Sequence, residues 1–329
     1  MFNAVINKGY SFKVEEDEMI LDAALRQNIN IPYSCKSGRC NTCKIKLDDG
    51  NINLEGLDQG LREEDREEGY FLSCTSAAKS DLSLSVDELL DFELPKSKLV
   101  PSKIKSINYL KNDVIELKLR FPPNVDFSFM PGQYVDLIGP GGMKRSYSIA
   151  NSSFADRELC FHIKRINDGQ FSNYWFNVAS QDDLIRVEGP KGTFVLRSKP
   201  KKNLIFLATG TGIAPVCSIL DDIFKSNAFE KYGSIYLFWG GRYLSDQYLD
   251  VSAIYPNIQY FQVVSREKKS HGIYNGYVQD ILISQDIELS NSSIYACGSN
   301  DMIISANKAL STYNNFNKKE FFSDAFLPS

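Results

Sequence analysis

The spacing of apolar positions changes character three times along the chain. From residue 1 to about 92 the pattern is short alternating runs with one early helical stripe. Asn3-Ala4-Val5-Ile6 and Tyr10-Ser11-Phe12-Lys13-Val14 predict a hairpin turning at Lys8-Gly9. Ile20, Leu21, Ala24 and Leu25 fall on one face of a helix over Ile20 to Gln27. Cys43 to Leu47 alternates as a strand that stops at Asp48-Asp49-Gly50, and Ser80 to Val86 alternates again. Residues 93–98, Glu-Leu-Pro-Lys-Ser-Lys, predict a linker. Residues 99–200 are rich in strands, with turn signals at Pro122-Pro123, Pro131-Gly132, Gly139-Pro140-Gly141-Gly142, Asp168-Gly169 and Gly189-Pro190, which suggests an antiparallel barrel. From 201 to 329 apolar strands alternate with helices: a strand over Asn203 to Thr209, a helix from Ile213 to Phe224, strands at Ser234–Trp239 and Ile258–Val264, a helix near Tyr277–Ile283, a strand at Ser293–Cys297 and a helix from Asp301 to Tyr313. That alternation predicts an α/β layer with a parallel sheet.

Composition narrows the class. The 329 residues, 43% hydrophobic and 24% charged, fit two or three globular domains. No run of eighteen apolar residues suggests a membrane span, and the first residues lack the pattern of a signal peptide. Residues 1–92 hold 10 Lys+Arg against 18 Asp+Glu, and the remainder 27 against 23. Acidic stretches such as Glu15-Glu16-Asp17-Glu18 and Glu63-Glu64-Asp65-Arg66-Glu67-Glu68 are either a solvated face or a surface that steers a basic partner. Nothing is basic enough to suggest nucleic acid.

Four of the seven cysteines carry the most specific chemistry. Cys35, Cys40 and Cys43 stand as C-x4-C-x2-C, and Cys74 follows about thirty residues on. This is the plant-type ligand spacing for a 2Fe–2S cluster, in which each iron takes two thiolates. A small-residue loop, here Ser34, Ser37, Gly38 and Thr42, can wrap such a cluster and turn backbone N–H groups toward sulfur. Zinc is the alternative, but its sites normally pair two C-x2-4-C halves, and Cys74 stands alone. Cysteines used this way point to a reducing, cytoplasmic compartment.

Three further motifs follow. Arg145-Ser146-Tyr147-Ser148 can offer a guanidinium to a pyrophosphate, a ring to a flavin and a hydroxyl near its reactive nitrogen, with Gly169-Gln170-Phe171-Ser172 supplying backbone N–H groups to a phosphate. Gly210-Thr211-Gly212-Ile213-Ala214-Pro215 sits where a strand gives way to a helix, a place that favours a pyrophosphate or is an ordinary βα turn. Tyr295-Ala296-Cys297-Gly298-Ser299 puts a cysteine at the C-terminal end of a parallel strand, either facing a ligand or filling the core.

Taken in order, these segments resemble the ferredoxin–NADP reductase superfamily, in the branch where a plant-type ferredoxin domain precedes a flavin barrel and a pyridine-nucleotide domain. Ile31-Pro32-Tyr33-Ser34-Cys35-Lys36, Arg145 to Asn151 and the tail Phe321-Phe322-Ser323-Asp324-Ala325-Phe326 are most similar to the CDP-6-deoxy-3,4-glucoseen reductases. The resemblance implies an α+β ferredoxin-like β-grasp domain at 1–92, an antiparallel β-barrel FAD domain at 99–200 and an α/β nucleotide domain at 201–329. It implies that Cys35, Cys40, Cys43 and Cys74 hold a 2Fe–2S cluster. It further implies FAD at Arg145, Ser146, Tyr147 and Ser148, completed by His162, Ile163, Lys164, Gly169, Gln170, Phe171 and Ser172. On the strand Leu159 to Ile163, a purely structural His162 fits as well. Gly210, Thr211, Gly212 and Pro215, with Gly298 and Ser299, would take the nucleotide. Ser148, Cys297 and the terminal Phe326 would border the hydride-transfer site. Ser265-Arg266, with Arg242, resembles a grip for the 2′-phosphate of NADPH, while the glucoseen reductases use NADH, so both nucleotides stay open. Electrons would leave for a protein acceptor, the dehydratase of 3,6-dideoxyhexose synthesis or else an oxygenase component.

Overall fold

The computed structural model describes residues 1–7, 9–155, 157–267 and 272–326, so the turn expected at Lys8 and the basic pair Lys268-Lys269 lie outside the described residues. The chain divides between Leu94 and Pro95 into two compact units.

The first unit is built on a five-stranded mixed sheet in the order Tyr10–Val14, Phe2–Ile6, Leu82–Ser85, Lys44–Asp49, Tyr70–Leu72. Phe2–Ile6 and Leu82–Ser85 run parallel and the other pairs antiparallel. The helix Ile20–Arg26 has only seven residues, too short to persist alone. Its face of Ile20, Leu21, Ala23 and Ala24 is fully buried among Phe12, Val14, Ile45 and Leu84, so tertiary packing holds it. The strand expected to stop at Asp48 instead runs through Asp49. Asp49 still pairs with Ser83 after a register shift, and Ser85 Oγ donates to the Asp48 carboxylate at 2.7 Å. Two aspartates read as a turn in sequence, yet on an exposed strand end they cost the ladder little.

The second unit holds two six-stranded sheets. The antiparallel one runs Lys144–Ser148, Tyr134–Ile138, Leu184–Lys191, Lys98–Lys111, Val114–Arg120, Glu158–Lys164. Lys98 and Leu99, at the end of the expected linker, already pair with Gly189 and Glu188. The two outer strands do not form a ladder, but the Ala150 N–H bonds the Cys160 carbonyl at 2.8 Å across the gap, giving a barrel with a seam. Its interior is Ile115, Leu117, Leu119, Val135, Leu137, Phe161 and Val187.

The other sheet is all parallel, in the order Tyr274–Asn275, Gln259–Val264, Ser234–Gly241, Asn203–Thr209, Ser292–Ser299, Phe321–Phe326. From Asn203–Thr209 the chain first builds to one side and then returns to the other. The strand order therefore reverses beside this strand, where open parallel sheets bind ligands at their C-terminal ends. The tail strand Phe321–Phe326 was not legible as a strand because nothing in its own pattern says that it extends the sheet. Helix Ile213–Lys225 joins the two layers. Its Asp222 carboxylate accepts from Ser152 Oγ at 3.0 Å, Ser153 N at 3.1 Å and Ser153 Oγ at 2.6 Å, and Ser218 Oγ donates to the Asn151 carbonyl at 2.7 Å. The segment that follows Arg145–Ser148 is thus anchored to the helix that follows Gly210–Gly212.

Candidate functional site

In the first unit, the loop from Cys35 to Cys43 takes left-handed backbone at Lys36, Gly38 and Asn41. The Cys35 N–H points at Cys40 Sγ at 3.5 Å and the Ser37 N–H at Cys35 Sγ at 3.4 Å. Cys74 follows the neighbouring strand of the same sheet: Lys44 pairs with Leu72, and Ser73 Oγ donates to the Cys43 carbonyl at 2.9 Å. The four thiols influence one another as two pairs, Cys35 with Cys40 and Cys43 with Cys74. Cys40 pulls the Cys35 thiol down to about 4, helped by Ser37, and Cys74 pushes Cys43 up while Cys43 lowers Cys74. Two thiols per pair, with N–H groups aimed at sulfur, fit a two-iron cluster. A second segment that the sequence reading overlooked clamps this loop. A Cβ on Gly38 would lie 1.6 Å from the Leu57 carbonyl oxygen, one on Gly60 would lie 2.7 Å from the Arg39 carbonyl carbon, and Gly60 N–H bonds Gly38 O at 2.8 Å. The signal for it was Gly56 and Gly60 between two strands.

In the barrel, Lys144–Ser148 pairs with Tyr134–Ile138, placing Tyr147 opposite Val135. Arg145 is exposed, donates to the Lys144 carbonyl at 2.8 Å and has no carboxylate partner among the described residues. Lys144 and Lys191 instead neutralise Asp136 and Glu188, and Ser146 bonds Asp136. The Tyr147 ring stands among Phe161, Phe171 and Trp175, its oxygen accepts from Trp175 Nε1 at 3.1 Å, and burial pushes its phenol up to about 12. Ser148 is buried beside it. A cavity of about 470 Å³ is lined by Arg165, Gly169, Gln170, Ser172, Asn173 and Phe176 among others. Ser172 Oγ accepts the Ile166 N–H at 2.8 Å and so closes that loop. Phe171 and Ile163 turn into the core, and neither Arg145 nor Tyr147 lines this cavity. His162 points away from the barrel interior and meets Tyr248 Oη at 3.2 Å through Nδ1.

The second cavity, about 760 Å³, opens at the switch point of the parallel sheet. Gly210, Thr211, Arg242, Ser265, Gly298, Ser299 and Phe326 line it together with Lys164 from the barrel. Gly212, Pro215, Cys297 and Arg266 do not. Gly212 and Gly298 act by closeness instead: Cβ atoms there would fall 2.3 Å from Cys297 O and 2.1 Å from Thr209 Oγ1. Cys297 is fully buried, and burial pushes its thiol well up. Asp324, also buried, stands opposite it in the strand pairing. The sequence reading missed that carboxylate, whose only mark was one acid in the apolar tail. Arg266 is exposed, and its N–H bonds the Arg242 carbonyl at 2.9 Å, tying the ends of two strands together.

Three family models match in series: a 2Fe-2S iron-sulfur cluster binding domain over residues 4–79, an oxidoreductase FAD-binding domain over 101–196 and an oxidoreductase NAD-binding domain over 206–308. The CDP-6-deoxy-L-threo-D-glycero-4-hexulose-3-dehydrase reductase of Yersinia pestis is 37% identical over 98% of this chain and 97% of its own length. The chain belongs to the iron–sulfur flavoprotein reductase family. Like its relatives it is an NAD(P)H-dependent electron-transfer oxidoreductase with 2Fe–2S and FAD as cofactors. Protein RfbI of Salmonella typhimurium is 34% identical over 97% of this chain and 94% of its own, and the toluate 1,2-dioxygenase electron transfer component of Pseudomonas putida 30% over 87% and 86%. The fold of this reductase is shared with the cytochrome P450 reductase of Amycolatopsis, with a TM-score of 0.78 at 23% identity over 100% of this chain and 99% of that one. No helix among the described residues is long and apolar enough to cross a membrane.

Proposed function

We propose that this reductase supplies electrons to a dehydratase acting on a CDP-linked 6-deoxyhexulose, as in 3,6-dideoxyhexose synthesis. The observation that carries this is the 37% identity to the hexulose-dehydrase reductase, which extends from the ferredoxin segment to the tail. A second reading, reductase of a multicomponent oxygenase, draws on relatives such as the toluate dioxygenase component at 30% identity. Mixing the purified protein and NADH with a CDP-hexulose dehydratase and its substrate should consume NADH and yield the deoxygenated sugar. NADH consumption only with an oxygenase component would reverse the choice.

On this reading the functional domains are residues 1–92, 99–200 and 201–329, with 93–98 between the first two, and the protein works in the cytoplasm, where seven free cysteines stay reduced. When bound, FAD accepts hydride and releases electrons singly, and a 2Fe–2S cluster carries one at a time. Cys35, Cys40, Cys43 and Cys74 hold the cluster. Arg145 offers a guanidinium with no carboxylate to satisfy, suited to a pyrophosphate. Tyr147, braced by Trp175, offers a ring face, and Ser148 a hydroxyl. Gly210 and Thr211 receive the nucleotide phosphates, while Phe326 and Lys164 close the cavity from the other side. The buried, protonated Cys297 backs that cavity from within the core.

If the exposed Arg266, which stands outside the cavity lining, reaches a 2′-phosphate at its mouth, Arg266→Ala should raise the KM for NADPH about tenfold, the loss of one charge-assisted hydrogen bond, and leave that for NADH unchanged. Steady-state kinetics with both nucleotides reads this directly, and equal effects would remove Arg266 from phosphate recognition. On the ferredoxin domain, Asp65 is spent on Lys44 and Arg62, whereas Glu63, Glu67 and Glu68 are exposed and have no ion-pair partner among the described residues. If these carboxylates steer a basic acceptor, turnover with that acceptor should fall with rising salt, and Glu67→Lys should lower it further while ferricyanide reduction holds.

A further inference from the structure

Tyr248 belongs to none of the flavin or nucleotide motifs, yet it stands at the junction of the barrel and the parallel sheet. Its hydroxyl meets His162 Nδ1 at 3.2 Å, and the two rings pack edge to face at 5.5 Å and 88°. Its other side packs edge to face on Trp239 at 5.3 Å and 89°. Trp239 is fully buried, and its Nε1–H donates to the Gly210 carbonyl at 3.0 Å. Three directional contacts therefore run from a barrel strand to the first residue of the glycine turn that lines the larger cavity.

Both ends of this array are braced. Gln247 Nε2 donates to the Trp239 carbonyl at 2.6 Å, and Gln247 Oε1 accepts from Tyr260 at 3.0 Å, so the neighbour of Tyr248 is fastened to the sheet. On the barrel, His162 lies opposite Glu116, which Lys118 holds at 3.0 Å and Asn108 at 3.2 Å. Donor atoms of Glu116, Cys160 and His162 come within 4.8 Å of one another. With Lys118 on the carboxylate and burial pushing the Cys160 thiol up, this group is a fixed polar platform and not a cation site. Burial also holds the His162 imidazole down to about 4, so near neutral pH it is uncharged and has one donor and one acceptor nitrogen for Tyr248 to use.

We propose that His162 and Tyr248 are positioning residues for hydride transfer: their contact sets the register between the barrel and the Gly210–Gly212 turn. The proposal rests on the larger cavity being the nucleotide site and the barrel motif the flavin site. Hydride transfer is steep in distance, and a misplacement of about 1 Å can cost about a hundredfold in rate. Binding depends instead on the turn itself, so the contact should act on rate and not on affinity.

The test is stopped-flow reduction of the flavin in the holoenzyme by NADH across a range of concentrations. Tyr248→Phe keeps both ring contacts and removes the hydroxyl. It should lower the limiting rate about tenfold while the nucleotide dissociation constant, the flavin content and the flavin spectrum stay the same. His162→Asn, which retains an amide near Nδ1, should keep more of the rate than His162→Phe. The double variant Tyr248→Phe/His162→Phe should be no more than about twofold slower than the slower single variant, because both remove one contact. Gly212→Ala reports on the nucleotide site separately and should weaken NADH binding. Weak binding in Gly212→Ala with unaltered limiting rates in Tyr248→Phe and His162→Phe would overturn the register contact alone. Normal binding in Gly212→Ala would overturn the assignment of the cavity and the proposal with it. Effects of the two single variants that multiply in the double would also overturn it.

Discussion

Cys74→Ser should abolish electron delivery from this reductase while leaving its flavin reducible. Cys74 is buried just past the neighbouring strand Tyr70–Leu72, held by the Ser73 hydroxyl on the Cys43 carbonyl at 2.9 Å, and the three cysteines outside the set of four belong to the other unit, so no spare thiol can replace it. A serine hydroxyl is a hard donor that does not ionise near neutral pH, and it exchanges a soft thiolate for a poor iron ligand. The cluster's visible absorption and its electron paramagnetic resonance signal should be lost. Transfer to the protein acceptor should fall by at least about a hundredfold, since disturbing only the partners of a metal ligand already costs up to that much. Flavin reduction by NADH should stay within about twofold, because both cavities, and the barrel and sheet motifs around them, are made of residues of the other unit. The fold of the first unit should survive, since Cys74 is one small member of a core carried by larger side chains such as Ile20, Leu21, Ile45 and Leu84, and serine nearly keeps its volume. Acceptor reduction at the normal rate without cluster absorption would mean that electrons leave from the flavin directly.

What the sequence made legible was local chemistry and period. The cysteine spacing, Arg145-Ser146-Tyr147-Ser148 and the glycine turn are short, contiguous and built from residues that little else requires. The strands Tyr10–Val14 and Asn203–Thr209 followed from alternation and from an unbroken apolar run. What stayed hidden was long-range. Nothing near Gly60 says that its Cα must press on Arg39, and nothing in Phe321–Phe326 says that it forms the edge of a parallel sheet beside Ser292–Ser299. The placement of motif residues was hidden for the same reason. Phe171 and Ile163 share motifs with residues that line cavities, but strand and helix alternation turns them inward. His162 shows the limit most clearly, because its partner Tyr248 lies 86 residues away, on the far side of the linkage between barrel and sheet.

Gly298→Ala should cost this reductase its nucleotide without touching its flavin or cluster. Gly298 has φ +143°, a backbone conformation that side chains with a Cβ rarely adopt. Its added Cβ would fall 2.1 Å from Thr209 Oγ1 and 3.0 Å from Thr209 O. The Thr209 hydroxyl cannot simply turn away, because it accepts the Ser299 N–H at 3.2 Å. The methyl must therefore part the C-terminal ends of Asn203–Thr209 and Ser292–Ser299, where the cavity opens and where Gly212 already abuts the Cys297 carbonyl. Backbone strain of about 1–3 kcal/mol and overpacking of about 1–3 kcal/mol both fall on the strand ends where the cavity opens, the place proposed for the nucleotide. If roughly half of that sum, about 1–3 kcal/mol, opposes binding, affinity for NADH falls by about fivefold to about 150-fold. Flavin reduction by dithionite should proceed as in the parent enzyme, which separates a closed nucleotide site from a lost flavin. Adding Thr209→Ala removes the hydroxyl clash but not the φ strain, so the double variant should recover part of the affinity and not all of it. Full affinity in Gly298→Ala would show that the strand ends yield freely and that the glycine is not what keeps the cavity open.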